Sequence, residues 1–167
     1  MDINLAIEFL DTQISDANKG LPEEVFLFTS RITPMINIDL LIRDEEGRIL
    51  LAWRNDEFCG RGWHIPGRII RFKESPQICI ERAALKEIGT IVEYNSTPIA
   101  ISNIINIKSN NRGHFISLLY ECKLSSIYTL PNKQMCENEA GYLKWHWHCP
   151  KDFLDIQKMY RTYFNEE

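Results

Sequence analysis

Charged side chains recur at fixed intervals in residues 63–90 of this chain. Glu74 stands in a loop-like run that follows Gly67, and Arg82 and Glu87 come next in a helical pattern. Carboxylates bind hard cations or exchange protons, and arginine holds carboxylates and phosphates through paired hydrogen bonds. These residue types mark the segment as the candidate site, provided that a loop and a helix bring them together.

The helix that would carry Arg82 and Glu87 has start and stop signals. Ser75 can cap its first turn, and Pro76 suits a position where a backbone N–H would have no partner. Gly89 ends it, because a helix C-terminus favours a residue that is free to take positive φ. The pattern predicts a strand, a Gly-containing loop and a helix in that order.

Two faces of this predicted helix differ in polarity. One face is apolar, and we expect it to pack on a sheet; it comprises Ile78, Ile80, Ala84, Leu85 and Ile88. A second face carries Ala83, Lys86 and Glu87, because residues three and four apart are neighbours on a helix.

The segment resembles a Nudix box. That motif reads Gly, five residues, Glu, seven residues, Arg-Glu, an apolar residue, any residue, Glu-Glu, any residue and Gly. The matching positions are Glu74, Arg82, Glu87 and Gly89. Three positions differ from the motif, with Arg68 at the first Gly, Ala83 at the Glu after Arg, and Lys86 at the first of the paired glutamates. The resemblance implies an α/β fold, a Nudix-type α/β/α sandwich with a central mixed β-sheet.

Residues outside the box are similar to one branch of that family, the GDP-mannose mannosyl hydrolases, which cleave the sugar C–O bond. The box of that branch also lacks the two glutamates that are missing here and keeps the last one. Two further matches are Asp39 in N-I-D-L-L-I and Arg54 in L-L-A-W-R. The resemblance covers roughly residues 33–153 and implies a nucleoside diphosphate sugar as the substrate.

The same resemblance implies roles for individual residues. Mg²⁺ would be held by the Gly67 carbonyl, by Glu87 and by a residue of a late loop, and it would also contact the diphosphate. Arg54 would stabilise the charge that develops on the leaving diphosphate, and Asp39 would belong to the catalytic set. Arg82 would support Glu87 through a charge-assisted hydrogen bond.

The late loop departs from the family, which has a Gln-His pair there, shortly before a Trp. Counting back from Trp145 puts Glu139 and Ala140 at the pair, whereas counting from Trp147 puts Gly141 and Tyr142 there, and neither choice gives a histidine. We take Glu139 as the third metal ligand, because a carboxylate can replace an amide oxygen on a hard cation. The general base stays open between Glu137, which could activate water, and His114, which aligns with a family histidine.

Arg68 has two interpretations. A side chain at the glycine position would narrow the approach of the backbone to metal and phosphate. Its guanidinium could instead bind a substrate phosphate through two hydrogen bonds.

Size and composition exclude several classes of protein. A length of 167 residues corresponds to a single domain. The net charge of −4 argues against binding to the extended phosphate backbone of a nucleic acid. Five cysteines without a C-x-x-C pair and the absence of a signal-peptide pattern favour the cytoplasm. No apolar run is long enough to span a membrane. The family's tendency to dimerise makes a homodimer the expected state.

The remaining patterns predict one Nudix domain over residues 1–167, with residues 1–31 as a helical extension and residues 66–90 as the box loop and helix. Helices are expected at 2–18, from Pro22 onward and from Pro150 onward. Period-two alternation predicts strands at 36–42 and 49–54, paired as a hairpin, followed by a loop at 55–62. A second hairpin is expected from residues 98–107 and 114–123.

Three functions fit these observations. The first is Mg²⁺-dependent hydrolysis of a nucleoside diphosphate sugar, giving the nucleoside diphosphate and the free sugar. The second keeps the fold but attacks phosphorus, giving a nucleoside monophosphate and a sugar phosphate. The third is a Nudix fold that has lost catalysis and binds a nucleotide sugar or a partner protein. The missing general base and Arg68 favour it, whereas the retention of Glu87, Arg82, Asp39 and Arg54 opposes it.

Overall fold

The computed structural model of the protein describes residues 2–165. Residues 1, 166 and 167, which the predicted domain includes, lie outside the described residues. The helices are α1 (Ile3–Gln13), α2 (Glu23–Ile32) and α3 (Pro76–Glu87), with 3₁₀ segments at Ala17–Lys19 and Asp155–Tyr163. The strands are β1 (Met35–Ile42), β2 (Ile49–Asp56), β3 (Gly60–His64), β4 (Gly67–Ile69), β5 (Glu93–Tyr94), β6 (Ala100–Ile105), β7 (His114–Lys123) and β8 (Leu143–His146).

The N-terminal helix is shorter than predicted. It ends at Gln13, and Asp16 then accepts a hydrogen bond from the Asn18 backbone N–H, which starts a separate 3₁₀ turn. None of the residues of α1 is buried, so its apolar side chains lack the core contacts that would extend the helix. The second helix was predicted to start at Pro22, and it begins one residue later, at Glu23, with Pro22 as its N-cap.

A mixed sheet forms the centre of the fold, as predicted. Its path is β4-β1-β7-β5, and β6 also pairs with β7. Strands β1 and β7 are parallel, and the other pairs are antiparallel. The β6–β7 hairpin is the one expected from the sequence.

The predicted β1–β2 hairpin is wrong. The two strands meet only at an isolated bridge between Arg43 and Ile49, and β2 belongs to a second, antiparallel sheet of order β3-β2-β8. Both strands alternate in the same way, so the alternation does not identify their partners. The segment expected to be the loop 55–62 is instead the tight β2–β3 hairpin, in which Asp56 accepts hydrogen bonds from the N–H groups of Phe58 and Cys59.

Helix α3 packs on one face of the mixed sheet. Ile80, Ala84 and Ile88 are buried there against β1 and β7. Ile78 and Leu85, which were assigned to the same apolar face, are more than half exposed, so the buried stripe is narrower than predicted. Both ends of α3 agree with the prediction. Ser75 caps its start by accepting a hydrogen bond from the Ile78 N–H, and the helix ends before Gly89, which has φ +80°.

The C-terminal segment covers the opposite face. It was predicted as a helix from Pro150, but it is a 3₁₀ segment that begins at Asp155 and has a kink at Gln157. Tyr160 and Phe164 pack there with Leu41 of β1 and Leu119 of β7. The chain therefore has helical layers on both faces of a mixed sheet. Within residues 2–165, no helix has both the length and the apolar character to cross a bilayer.

Candidate active site

Asp39 lies at the centre of a buried hydrogen-bond network beneath the candidate site. It is 1 % exposed and belongs to β1 between Gly67 of β4 and Leu119 of β7. Its Oδ1 accepts from Asn37 Nδ2 at 2.7 Å and from Gln157 Nε2 at 3.3 Å. Its Oδ2 accepts from the hydroxyl groups of Ser117 and of Tyr160.

Burial raises the pKa of Asp39 to about 6, although the hydrogen bonds from Ser117, Tyr160 and Asn37 and the charge of Arg54 act against that rise. With two donors on each oxygen, the carboxyl group fixes the positions of its neighbours. Its predicted catalytic role stays a prediction.

Gly67 is required where β4 approaches this network. A Cβ atom at position 67 would meet the Ile38 carbonyl oxygen and Asp39 Oδ1. The absence of a side chain allows β4 to pair with β1 at Asp39. The loop after Pro66 thus comes directly against the buried carboxyl group.

Arg54 lies near the end of β2, where the β2–β3 hairpin holds its guanidinium. Its Nε is 3.3 Å from Asp56 Oδ2, and its Nη1 is 3.4 Å from Cys59 Sγ. Its charge acts on both Asp39 and His64. The residue predicted to stabilise the leaving group is therefore fixed close to the buried network.

A small pocket of about 90 Å³ opens above Asp39, with room for a few water molecules or one phosphate group. Three arginines line it, Arg54, Arg68 and Arg112. Arg112 stacks over the ring of Phe58 at 4.8 Å, which holds the guanidinium in one orientation. Arg54 and Arg68 are partly offset by ion pairs with Asp56 and Glu87, and the guanidinium groups that line the pocket favour an anionic ligand.

His64 also lines this pocket, and sequence reasoning missed it. It is 4 % exposed, and its Nδ1 lies 2.8 Å from the Ala52 carbonyl oxygen. A carbonyl oxygen only accepts hydrogen bonds, so Nδ1 carries the proton and Nε2 keeps a free lone pair. Nε2 is buried without a hydrogen-bond partner in residues 2–165.

The pKa of His64 is lowered to about 3, first by burial and then by the charge of Arg54. The imidazole is therefore neutral at neutral pH. Within the described part of the chain, its Nε2 is an unpaired acceptor at the wall of the pocket, almost fully shielded from solvent.

A large groove of about 1000 Å³ adjoins the small pocket and shares Cys59, Ile104 and Ile156 with it. Its walls are the β2–β3 turn, β6 and the C-terminal segment. Its charged lining residues are Arg61, Lys108, Lys151, Lys158, Asp152 and Asp155. Together the two cavities could take a phosphate group and a much larger attached group.

On the box helix, Arg82 contacts Glu74 rather than Glu87, which corrects the predicted contact. Its Nε donates to Glu74 Oε1 at 2.7 Å and its Nη2 donates to Oε2 at 2.8 Å. Nη2 also donates to the Ile69 carbonyl oxygen at 2.8 Å. The hydrogen bond from Arg82 lowers the pKa of Glu74. Arg82 therefore gives structural support to the loop that precedes the helix.

Glu87 forms an ion pair with Arg68. The distance from Arg68 Nη1 to Glu87 Oε1 is 3.1 Å, and both side chains are more than two-thirds shielded from solvent. The pair joins β4 to the end of α3. Of the two interpretations of Arg68, neither predicted this contact.

The late-loop residues lie at the surface. Glu137 is exposed and forms an ion pair of 3.0 Å with Lys144. The Glu139 side chain is exposed, and its backbone closes a turn with Cys136 and Tyr142. His114 Nε2 lies 2.8 Å from Asn103 Oδ1 on the β6–β7 hairpin. The proposed roles of Glu137, Glu139 and His114 remain predictions.

Residues 33–164 match the sequence model of the NUDIX domain. The chain belongs to the Nudix family. The match covers all eight strands, α3 and the C-terminal segment, and α1 and α2 precede it.

Solved Nudix structures share the fold. The chain is similar to a MutT NUDIX hydrolase from Burkholderia pseudomallei, with TM-score 0.61 and 18% identity over 80% of this chain and 99% of that one. A possible asymmetric diadenosine tetraphosphate hydrolase from Jonesia denitrificans matches with TM-score 0.57 and 17% identity, over 77% of this chain and 90% of that one. A UDP-X diphosphatase matches with TM-score 0.56 and 15% identity, over 97% of this chain and 67% of that one.

Nudix hydrolases generally use a divalent cation such as Mg²⁺, and the predicted ligands here were Gly67, Glu87 and Glu139. Glu87 faces a guanidinium, and Glu74 is bound by Arg82. Within residues 2–165, no group of three or more His, Cys, Asp or Glu side chains could hold a metal ion. As the side chains lie, this donor set does not fit Mg²⁺, and we derive no reaction step through one.

Several residues of this Nudix site have little sequence signal. His64 precedes Pro66-Gly67 on a strand, and its proximity to β2 depends on the β2–β3 register. Gln157 and Tyr160 come from a segment more than a hundred residues away from Asp39 in sequence. Arg112 is part of the predicted turn 108–113, where an exposed cation is the usual expectation.

Proposed function

We propose that this Nudix protein hydrolyses a nucleoside diphosphate sugar, of the GDP-mannose type, to the nucleoside diphosphate and the free sugar. The observation that supports it is the pocket lined by Arg54, Arg68 and Arg112, which continues into a groove of about 1000 Å³. The pocket has room for one phosphate group of the diphosphate, and the adjoining groove has room for the rest of the substrate.

The arginines supply the affinity for the diphosphate. Hydrogen bonds between guanidinium and phosphate are charge-assisted, and the planar fork allows two of them at once. Partial burial strengthens these contacts relative to those of an exposed cation. Arg61, Lys108, Lys151 and Lys158 add positive charge along the groove in a protein of net charge −4.

In the reaction, the oxygen of water bonds to the anomeric carbon of the sugar. The bond from that carbon to the diphosphate oxygen breaks, and its electron pair stays on the diphosphate. Arg54 stabilises the negative charge that develops there, because its guanidinium is already held in place by Asp56 and Cys59.

His64 is the candidate base: its Nε2 is buried in the free protein and takes the proton of the attacking water as the new bond forms, once that water has reached it. A histidine with a pKa of about 3 is a weak base in the empty site. Bound diphosphate places negative charge beside Arg54 and so offsets one of the two effects that lower this pKa. Substrate binding therefore makes His64 more basic when a base is needed.

Two other functions have specific support. Attack at phosphorus would give a nucleoside monophosphate and a sugar phosphate, and one structural relative is described as a UDP-X diphosphatase. A module that binds without turnover is favoured by the Arg68–Glu87 ion pair, which engages the last box glutamate. Both alternatives use the same arginine pocket.

Incubation with GDP-mannose, followed by chromatography of the products, tests the proposal. GDP with mannose is the expected result, and GMP with mannose 1-phosphate would indicate attack at phosphorus. Titration calorimetry on the same samples identifies a binding module by heat of binding without products. Arg54→Ala should abolish binding, whereas Arg48→Ala, which removes a cation paired with Asp44 outside the pocket, should not. Absence of both binding and turnover in the parent protein would reject the proposal.

A further inference from the structure

The ion pair between Arg68 and Glu87 has a defined structural origin. A Cβ atom at position 67 would point toward Ile38 and Asp39, and successive side chains of a strand point to opposite faces. Arg68 therefore extends toward α3, where Cys79 Sγ also contacts the Arg68 carbonyl oxygen. Helix α3 ends at Glu87, which brings the carboxylate to the guanidinium at 3.1 Å.

Because Glu87 is engaged by Arg68, a divalent cation would need another carboxylate from the box helix. No neighbouring side chain of that helix supplies one. Ala83 is fully buried in the core, and Lys86 is exposed at the other position where the box motif has a glutamate. Glu74 is held by two hydrogen bonds from Arg82. A divalent cation would have to bind Glu87 against the charge of Arg68, which cannot deprotonate to make way.

We infer that the Arg68 guanidinium takes the place of a divalent cation at Glu87, so that the pocket binds a diphosphate without a metal ion. This inference rests on the proposed function for the identity of the ligand. One N–H of Arg68 is engaged by Glu87. A guanidinium has five N–H donors, so others remain for phosphate oxygens.

The charges in the pocket are consistent with this substitution. Arg68 and Glu87 neutralise each other in part, and Asp56 offsets part of the charge of Arg54, so the diphosphate is balanced by the remaining charge of Arg54 and by Arg112. A carboxylate with no cation beside it would repel the phosphates, and Arg68 removes that repulsion. The glycine-to-arginine change at position 68 and the change of two glutamates to Ala83 and Lys86 are thus parts of one electrostatic change.

Metal binding is measured on the free protein, without substrate. Mn²⁺ titration followed by electron paramagnetic resonance should find no site in the parent protein that depends on Glu87. Arg68→Gly should create one Mn²⁺ site, which Arg68→Gly combined with Glu87→Gln should lose. Arg71→Gly, a change in the same segment away from Glu87, should create none. Arg68→Ala is a second variant in case glycine loosens β4, and thermal unfolding confirms that each variant is folded.

Ligand binding is measured with GDP by calorimetry, in Mg²⁺ and in EDTA. The parent protein should bind equally in both, and Arg68→Gly should bind about 10- to 150-fold more weakly in EDTA, which is the effect of losing one charged hydrogen bond. Three results would each overturn the inference. They are Mn²⁺ binding by the parent protein that depends on Glu87, the absence of a Mn²⁺ site in both Arg68 variants, and GDP binding that requires Mg²⁺. If GDP binds under neither condition, the proposed function fails, while the Mn²⁺ results still decide the role of Arg68.

Discussion

The Tyr160 hydroxyl donates a hydrogen bond of 2.7 Å to Asp39 Oδ2, which ties the C-terminal segment to the first strand of the mixed sheet. The same hydroxyl lies 3.1 Å from Ser117 Oγ on β7. Three separate parts of the chain therefore meet at one buried carboxyl group. The floor of the arginine pocket depends on this junction, because Asp39 and Gln157 line the pocket too.

Asp39→Asn should change how stability depends on pH. The folded-state pKa of about 6 lies above the ordinary aspartate pKa of 3.8, so the folded protein holds this proton more tightly than the unfolded chain. The contribution of Asp39 to the free energy of unfolding is complete below pH 3.8 and is lost as pH rises to 6, a decrease of about 3 kcal/mol. Urea unfolding at several pH values measures it.

The difference in unfolding free energy, Asp39→Asn minus parent, should therefore increase by about 3 kcal/mol between pH 3 and pH 7. Asp155→Asn removes an exposed carboxylate and serves as the control, with a difference that stays nearly constant. A constant difference for Asp39→Asn would show that the buried carboxyl group titrates normally.

His64→Gln should have the opposite pH dependence. The pKa of His64 is lowered from 6.5 to about 3, so its contribution to stability is complete above pH 6.5 and is lost as pH falls. Between pH 6.5 and pH 4 the parent should lose about 3 kcal/mol relative to the variant. His148→Gln, which changes an exposed histidine, is the control for urea unfolding. Equal pH profiles for parent and His64→Gln would contradict burial of a neutral imidazole.

Glu74→Gln should destabilise the fold by about 3 kcal/mol, because Arg82 would lose its paired charge in a largely shielded position. Glu81→Gln, an exposed change on the same helix, should alter the free energy of unfolding by less than about 0.5 kcal/mol. Thermal and urea unfolding measure both variants. If the two variants unfold alike, the Arg82–Glu74 pair does not anchor the box loop.

Gly67→Ala should destabilise the protein by about 3 kcal/mol, since the added Cβ meets the Ile38 carbonyl oxygen and Asp39 Oδ1 in a packed region. Gly47→Ala has free space around its Cβ, and only its φ of +85° opposes the change, at a cost of about 1–2 kcal/mol. Urea unfolding compares them. A smaller loss for Gly67→Ala than for Gly47→Ala would show that β4 can move away from β1.

Local patterns in the sequence were sufficient to predict the box helix and the β6–β7 hairpin and to recognise the Nudix family. Capping by Ser75, the stop at Gly89 and period-two alternation are set by residues near one another in the chain. The box motif is also local, and it placed Glu74, Arg82 and Glu87 in the site region.

Only the tertiary structure decided which charges meet. Arg82 pairs with Glu74 and Arg68 with Glu87 because β4 lies beside the end of α3, and spacing along the chain does not contain that distance. Strand alternation likewise could not show that β1 and β2 separate into two sheets, or that His64 faces a pocket with a free Nε2. The sequence determined most of the elements and the types of charge, whereas packing between distant segments determined the partners and hence the chemistry of the pocket.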